Sequence, residues 1–280
     1  MQSAEARRWL AGQLAAAGID EADYESCLLL KAVGVSALDL RTAPHQQLRP
    51  EQREQLSHWL KRRQQREPLQ YILGEAWFYG LRLQVSPAVL IPRPETEELV
   101  EKALPHLPPG ARVADIGTGS GAIALALAAQ RPDLTVYATD ISADALAQAR
   151  ANAEALGLNI QFLSGDTLEP LRPYAPFEAL ISNPPYIPQQ NIAGLAPEVR
   201  DFEPQLALTP GPDALHFYRC FAAEAAAYLR LGGQLWLELE APLAQQTAAL
   251  FNAPLWHELQ LLRDLSGHWR FLTARSGPAS

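Results

Sequence analysis

Up to residue 73 the apolar positions recur at helical spacing. Trp9, Leu10 and Leu14 share one stripe, and Leu28, Leu29, Leu30 and Val33 form another. Asp20 stands where the second run needs an N-cap, with Asp23 three residues on. Pro50 suits the first turn of a third helix running to about Arg66. Residues 1–74 therefore read as a small all-helical domain. At 75–91 the period drops to two: Trp77 and Tyr79, then Leu81, Leu83 and Val85, alternate with other residues about Gly80. That pattern predicts a hairpin, taken as the linker between two domains.

From residue 92 to 280 helix-period and strand-period segments alternate. The pattern predicts helix 94–106, strand 112–115, helix 120–130, strand 134–139, helix 143–156 and strand 160–164. Strand 179–182, helix 213–230, strand 234–240, helix 242–251 and strands 255–262 and 268–274 follow. Alternating βα units predict a parallel sheet covered on both faces, an α/β fold. The final pair surrounds Ser266-Gly267 too closely for a crossover, so the sheet should end on an antiparallel strand. Residues 187–212 hold five prolines and no clear period, and read as a long loop that is functional or mobile.

Composition adds exclusions. A chain of 280 residues, 48% hydrophobic and 19% charged, is globular and long enough for two domains. Cys27 and Cys220 cannot make a disulfide framework or a CxxC site, which points to a reducing, cytoplasmic compartment. No apolar stretch reaches the roughly 18 residues of a membrane span, and the charged first 20 residues do not read as a signal peptide. The six histidines (45, 58, 106, 216, 257 and 268) show no HxxxH or His–Cys spacing, so no metal is implied. The net charge is −8 but uneven: residues 1–74 carry 10 basic and 9 acidic side chains, the remainder 13 and 22. That balance weighs against a protein that grips duplex nucleic acid along its length. The run Lys61 to Arg66 reads as the solvated end of a helix, or as a contact for an acidic partner or ribosomal RNA.

Three constellations carry chemistry. Asp115-Ile116-Gly117-Thr118-Gly119-Ser120-Gly121 lies between a strand and a helix, where glycines permit a sharp turn and close approach of a ligand. Asp140 ends the next strand, where a carboxylate can accept both hydroxyls of a ribose. Together these indicate a nucleoside cofactor without saying which, since Gly117, Gly119 and Ala122 also satisfy the looser dinucleotide pattern. Asn183-Pro184-Pro185-Tyr186 then follows the fourth strand of the sheet. Asn183 offers a side-chain acceptor, Pro184 a backbone carbonyl, Pro185 a stiff turn and Tyr186 an aromatic face. Such a set suits a planar NH₂ group.

Glycine turn, acidic residue and Asn-Pro-Pro-Tyr, in this order, resemble the class I S-adenosylmethionine-dependent amino-methyltransferases. Among these the tetrapeptide appears in DNA-adenine enzymes and in enzymes that modify glutamine side chains. Two further stretches, Pro68-Leu69-Gln70-Tyr71-Ile72-Leu73-Gly74 and Val89-Leu90-Ile91-Pro92-Arg93-Pro94-Glu95-Thr96-Glu97, resemble the release-factor glutamine methyltransferase family. The resemblance runs over nearly the whole chain. It implies a Rossmann-like class I methyltransferase domain behind an N-terminal helical substrate-docking domain. It implies S-adenosylmethionine as cofactor and the glutamine of the Gly-Gly-Gln motif in bacterial class I peptide chain release factors as substrate. A cytoplasmic monomer without stable nucleic-acid binding is expected. Gly117, Thr118, Gly119, Ser120 and Gly121 should line the methionine end, Asp140 the ribose, and Asp166 and Thr167 the adenine. Asn183, Pro184, Pro185 and Tyr186 should hold the substrate amide and form the catalytic set, Asn183 also bordering the cofactor. Many relatives carry an aromatic residue at the position of Thr167, which cannot stack. Arg93 to Glu97 should cap helix 94–106 and wall the site. Two other readings are a DNA-adenine methyltransferase and a non-catalytic cofactor-binding scaffold.

Overall fold

The computed structural model describes residues 1–252 and 254–277, and the chain divides into two compact units. The first comprises Met1–Gly74 together with Ala196–Phe202. Its helices are α1 (Ser3–Ala16), α2 (Ala22–Ala32), α3 (Ala37–Thr42), α4 (Pro50–Gln64) and α5 (Leu69–Leu73). Leu10 and Leu14 of α1, Leu29 and Leu30 of α2, and Leu56 and Leu60 of α4 close into one apolar core. Pro50 sits in the first turn of α4. Glu21 rather than Asp20 precedes α2, and its side chain makes no cap bond. Helix α3 has no buried residue and so left no apolar stripe in the sequence. A reciprocal cap holds it: Asp39 N–H donates to Ser36 Oγ, and Ser36 N–H to Asp39 Oδ2.

The basic run is only in part a solvated helix end: Lys61, Gln64 and Gln65 are exposed, whereas its arginines are paired. Arg63 is buried and makes a two-pronged pair with Glu25, at 2.8 and 3.1 Å. Its remaining nitrogen donates to Glu198 at 3.0 Å, and Arg66 also pairs with Glu198. Glu198 belongs to α9 (Pro197–Phe202), the part of the long loop that packs with this unit. Apolar periodicity cannot reveal such a pairing, because its partners are 135 residues apart.

The second unit holds Glu75–Leu195 and Glu203–Ser280. The hairpin expected as a linker is part of it. Strands β1 (Glu75–Phe78) and β2 (Leu81–Gln84) pair antiparallel across a Tyr79-Gly80 turn with positive φ at both residues. The phase of β1 is opposite to expectation: Phe78 is fully buried, whereas Trp77 is 61% exposed. Phe78 and Leu83 join the core beneath α6 (Pro94–Ala103). A two-residue period identifies a strand, but not which alternate set points inward.

The main sheet contains β3 (Arg112–Ile116), β4 (Thr135–Asp140), β5 (Gln161–Ser164), β6 (Phe177–Ser182), β7 (Leu229–Glu238), β8 (Trp256–Arg263) and β9 (Trp269–Ser276). Their spatial order is β5-β4-β3-β6-β7-β9-β8. The first five are parallel, and β9 runs antiparallel between β7 and β8. Val113 and Ile181 face the core shared with α6, α7 (Ala122–Gln130) and α8 (Ala143–Leu156). Ala114 and Leu180 face the other core, under α11 (His216–Glu224) and α12 (Ala244–Ala248). Cores on both faces explain why these strands read as unbroken apolar runs. Helix 213–230 is shorter than expected: α11 ends at Glu224, a 3₁₀ turn spans Ala225–Tyr228, and β7 begins at Leu229. The long loop is also not structureless, for besides α9 it forms a 3₁₀ turn at Gln189–Gly194 and helix α10 (Gln205–Leu208).

The hairpin's membership is testable by stability. Phe78→Ala should lower the unfolding free energy by about 3–5 kcal/mol, the cost of emptying a buried phenylalanine site. Trp77→Ala should change it by no more than about 0.5 kcal/mol, since that side chain lies mostly in water. Urea unfolding of both variants checks the inversion of phase.

Candidate active site

Three parallel strands end side by side. Ile116 of β3 lies opposite Ser182 of β6 and opposite Thr139 of β4. Ser182 Oγ donates to the Ile116 carbonyl at 2.7 Å, and the Gly117 and Thr118 N–H groups both donate to the Thr139 carbonyl at 2.9 Å. Gly117, Asp140 and Asn183 therefore leave the sheet at one level, the place where open α/β sheets bind ligands. Gly117 and Gly119 have φ of +74° and +55°, and a Cβ on either would stand in open space. The turn is thus a bare backbone cradle.

A cavity of about 270 Å³ opens in front of it, lined entirely by the second unit. Gly117, Gly119, Asp140, Asp166, Thr167, Asn183, Pro184 and Pro185 all reach it. Thr118, Ser120 and Gly121 do not line it. Thr118 turns inward, its hydroxyl on Asp115 at 2.6 Å. The carbonyl of buried Ser120 accepts from Asn152 Nδ2. Gly121 faces α7 and α8, where a Cβ would fall 2.9 Å from Leu125 Cδ1 and 3.2 Å from Ala149 Cβ. These three shape the turn from behind. Tyr186 borders a neighbouring cavity with Glu240 and Arg270.

Each oxygen of Asp140 accepts one backbone N–H, Gly119 on Oδ2 and Ser142 on Oδ1, both at 2.9 Å. The Ile141 N–H also acts on this carboxylate, whose two oxygens offer about four lone-pair sites and so keep acceptor capacity for a ligand hydroxyl. Burial raises this carboxyl's pKa against the pull of those N–H groups. Asp115 is fully buried two residues before the cradle, and burial pushes its pKa up to about 7 despite bonds from Thr118 and Ala124. Its Oδ1 has no hydrogen-bond partner.

Behind Asn183 lies a polar network. Asn183 Nδ2 donates to Thr96 Oγ1 at 3.1 Å, and Thr96 Oγ1 donates to Glu238 Oε2 at 2.7 Å. Tyr186 donates its hydroxyl to Glu238 Oε1 at 3.2 Å, and Tyr218 to the Glu238 carbonyl at 3.0 Å. Burial pushes the Glu238 pKa up to about 7, opposed by Thr96, Arg270 and Tyr186 and assisted by Glu95. Burial and the Glu238 charge raise the Tyr186 hydroxyl well above its usual range, so it stays protonated.

The stretch Arg93–Glu97 works one layer out from the cavity wall, which is made by Ala88, Val89 and Leu90. Pro94 does open α6. Arg93 donates to both oxygens of buried Glu203, at 2.7 and 2.8 Å, beside Pro204, Leu206 and Ala207 of the same wall. Sequence reasoning missed Glu203, Glu238 and Thr96 as working groups, because each is an ordinary residue type whose partner is remote in the chain. It also missed Phe217 and Phe221 of α11, which bring aromatic faces to the cavity where Thr167 has none. An aromatic pair on an apolar helix face reads as core.

Comparison with known proteins agrees with this geometry. Residues 5–74 match the family model described as PrmC N-terminal domain, and residues 96–197 the one described as methyltransferase small domain. A release factor glutamine methyltransferase of Cereibacter sphaeroides is 42% identical over 280 residues, covering 98% of this chain and 99% of its own. One of Geobacter sulfurreducens is 40% identical over 270 residues, covering 96% and 95%. Among solved structures, a methyltransferase of Pyrococcus furiosus shares the fold, with a TM-score of 0.54 at 21% identity over 71% of this chain and 90% of that one. The chain belongs to the release factor glutamine methyltransferase family.

Proposed function

We propose that this chain transfers a methyl group from S-adenosylmethionine to the side-chain amide nitrogen of the Gly-Gly-Gln glutamine of bacterial class I release factors, and so modulates translation termination. The observation that carries this reading is Asn183 at the end of β6, in the same cavity as the glycine cradle and Asp140, with its amide nitrogen engaged behind it. The bare backbone cradle and the spare acceptor capacity of Asp140, both on one cavity, fit the cofactor. Asp140 takes the ribose, Asp166 and Thr167 flank the adenine with Phe217 and Phe221, and Gly117 and Gly119 face the methionine end. Thr118, Ser120 and Gly121 hold the turn in shape.

S-adenosylmethionine, when bound, supplies a sulfonium-activated methyl group. An amide nitrogen is a weak nucleophile, since its lone pair is shared with the carbonyl. Asn183 Oδ1 and the Pro184 carbonyl accept its two protons and hold the nitrogen in line, and such positioning contributes roughly 7–11 kcal/mol. The same oxygens stabilise positive charge growing on that nitrogen. Pro185 fixes the turn, and Tyr186 covers the amide while anchored on Glu238. The helical unit docks the folded release factor away from its glutamine. The protein acts as a cytoplasmic monomer without stable nucleic-acid binding. No helix among the described residues is long and apolar enough to cross a membrane. A DNA-adenine methyltransferase shares the tetrapeptide, but the net charge of −8 disfavours it. Incubation with methyl-labelled cofactor, release factors, ribosomal proteins and DNA decides among these: label confined to release factor supports the proposal, and label on DNA overturns it.

Asp140→Ala should weaken S-adenosylmethionine binding by about 1.5–3 kcal/mol, the usual worth of charge-assisted hydrogen bonds, with the fold retained. Calorimetry checks this, and unchanged affinity refutes the ribose assignment. Asn183→Ala should cut kcat by about 10²–10³ while cofactor affinity moves little. Single-turnover rates within twofold of wild type would show that Asn183 is no amide clamp. A chain beginning at Glu75 should lose a larger fraction of its rate on intact release factor than on a Gly-Gly-Gln peptide. Equal fractional losses rule out docking by the helical unit.

A further inference from the structure

Thr96 and Glu238 are buried, 5% and 1% exposed, and neither lines the cavity, yet they end a chain of hydrogen bonds that begins on Asn183. The chain runs one way. A threonine hydroxyl has a single proton, and a carboxylate has none to give. With Glu238 Oε2 at 2.7 Å, the Thr96 proton goes to Glu238. Thr96 Oγ1 is then left with lone pairs only, so the Asn183 atom facing it at 3.1 Å must be the NH₂ nitrogen. Tyr186, held protonated, donates to the other Glu238 oxygen and so cannot reverse the order from its side. The groups facing Glu238 are Arg270 from β9, Tyr186 from the loop after β6, Tyr218 from α11, and Thr96 and Glu95 from α6. At pH 8, about a unit above its raised pKa, the carboxyl is mostly ionised.

We propose that Glu238 and Thr96 are positioning residues that set the polarity of Asn183: by binding its nitrogen they turn its carbonyl oxygen to the substrate, so the site accepts an amide NH₂ and rejects a carboxylate. The proposal rests on the reading of the site as one that methylates a glutamine amide. An asparagine free to flip presents NH₂ to the substrate half of the time, and two NH₂ groups cannot bond. A glutamate side chain, by contrast, pairs well with a flipped asparagine. Discrimination between isosteric glutamine and glutamate thus rests in part on a residue pair that touches neither, added to the fixed carbonyl of Pro184.

The test compares wild type, Thr96→Val, Thr96→Ser and Glu238→Gln at pH 8. It measures kcat and KM on a Gly-Gly-Gln peptide, inhibition by the matching Gly-Gly-Glu peptide, and calorimetric affinity for S-adenosylmethionine. Valine keeps the shape of threonine and deletes the hydroxyl; serine keeps the hydroxyl. Thr96→Val should lower kcat and the preference for the glutamine over the glutamate peptide by about tenfold or more each, as expected when a recognition hydrogen bond is lost. Cofactor affinity should stay within about twofold and Thr96→Ser within about threefold of wild type in every reading, because the hydrogen-bond chain is intact. Glu238→Gln, whose NH₂ can donate to Thr96 and reverse the chain, should lose the same preference and gives a second reading should the valine variant fold poorly. If Thr96→Val or Glu238→Gln keeps the glutamine preference, even at reduced kcat, the two residues are structural and the proposal is wrong. If wild type methylates no glutamine, the functional reading itself fails, and with it the basis of this proposal.

Discussion

The site depends on one constraint, the parallel register that sets Ile116 of β3 against Ser182 of β6 on one side and Thr139 of β4 on the other. A backbone ladder repeats every two residues, so a slip by one would turn each side chain to the opposite face. Here the register is locked beyond the ladder itself. Ser182 Oγ reaches the Ile116 carbonyl, and the Thr139 carbonyl collects two N–H groups from the glycine turn. The cradle, Asp140 and Asn183 consequently emerge together from segments that lie 66 residues apart at the extremes (117 and 183).

Two buried carboxylates flank this meeting point, Asp115 behind the cradle and Glu238 behind Asn183. Burial alone opposes ionisation in both, and hydrogen bonds offset only part of that penalty. A protein that needed only stability would place apolar side chains at such positions. What the charges supply is direction. Glu238 accepts from Thr96 and Tyr186 at once, and Asp115 accepts from Thr118 and Ala124, orienting the tetrapeptide and the glycine turn respectively.

Peripheral segments reach the site through polar ties rather than through sheet pairing. Asn152 of α8 exchanges bonds with both Gln84 backbone groups of the hairpin and also donates to the Ser120 carbonyl. The hairpin is thereby bound to the rear of the cradle. Arg93 holds Glu203 and so fixes the cavity wall at α10. Residues 196–202 of the same loop pack with the helical unit, where Arg63 and Arg66 hold Glu198. Arginine suits both places because its planar fork can bond two carboxylate oxygens, or two carboxylates, at once.

The sequence alone determined the helical segment before Gly74, the alternating βα order, the antiparallel ending and the chain positions of the glycine turn, Asp140 and Asn-Pro-Pro-Tyr. Those features are local: apolar periodicity and turn chemistry are written in neighbouring residues. Only the tertiary structure decided which face of β1 points inward, that Thr118, Ser120 and Gly121 support the cavity from behind, and that Arg63 and Arg66 of the basic run are spent on Glu25 and Glu198. It alone brought Thr96, Glu203 and Glu238 into the neighbourhood of the site. Arg63, Glu203 and the Thr96–Glu238 pair each depend on partners 38 to 142 residues apart. A hydrogen bond or ion pair between such distant residues leaves no period in the chain, and becomes visible only when the sheet register has brought the two ends together.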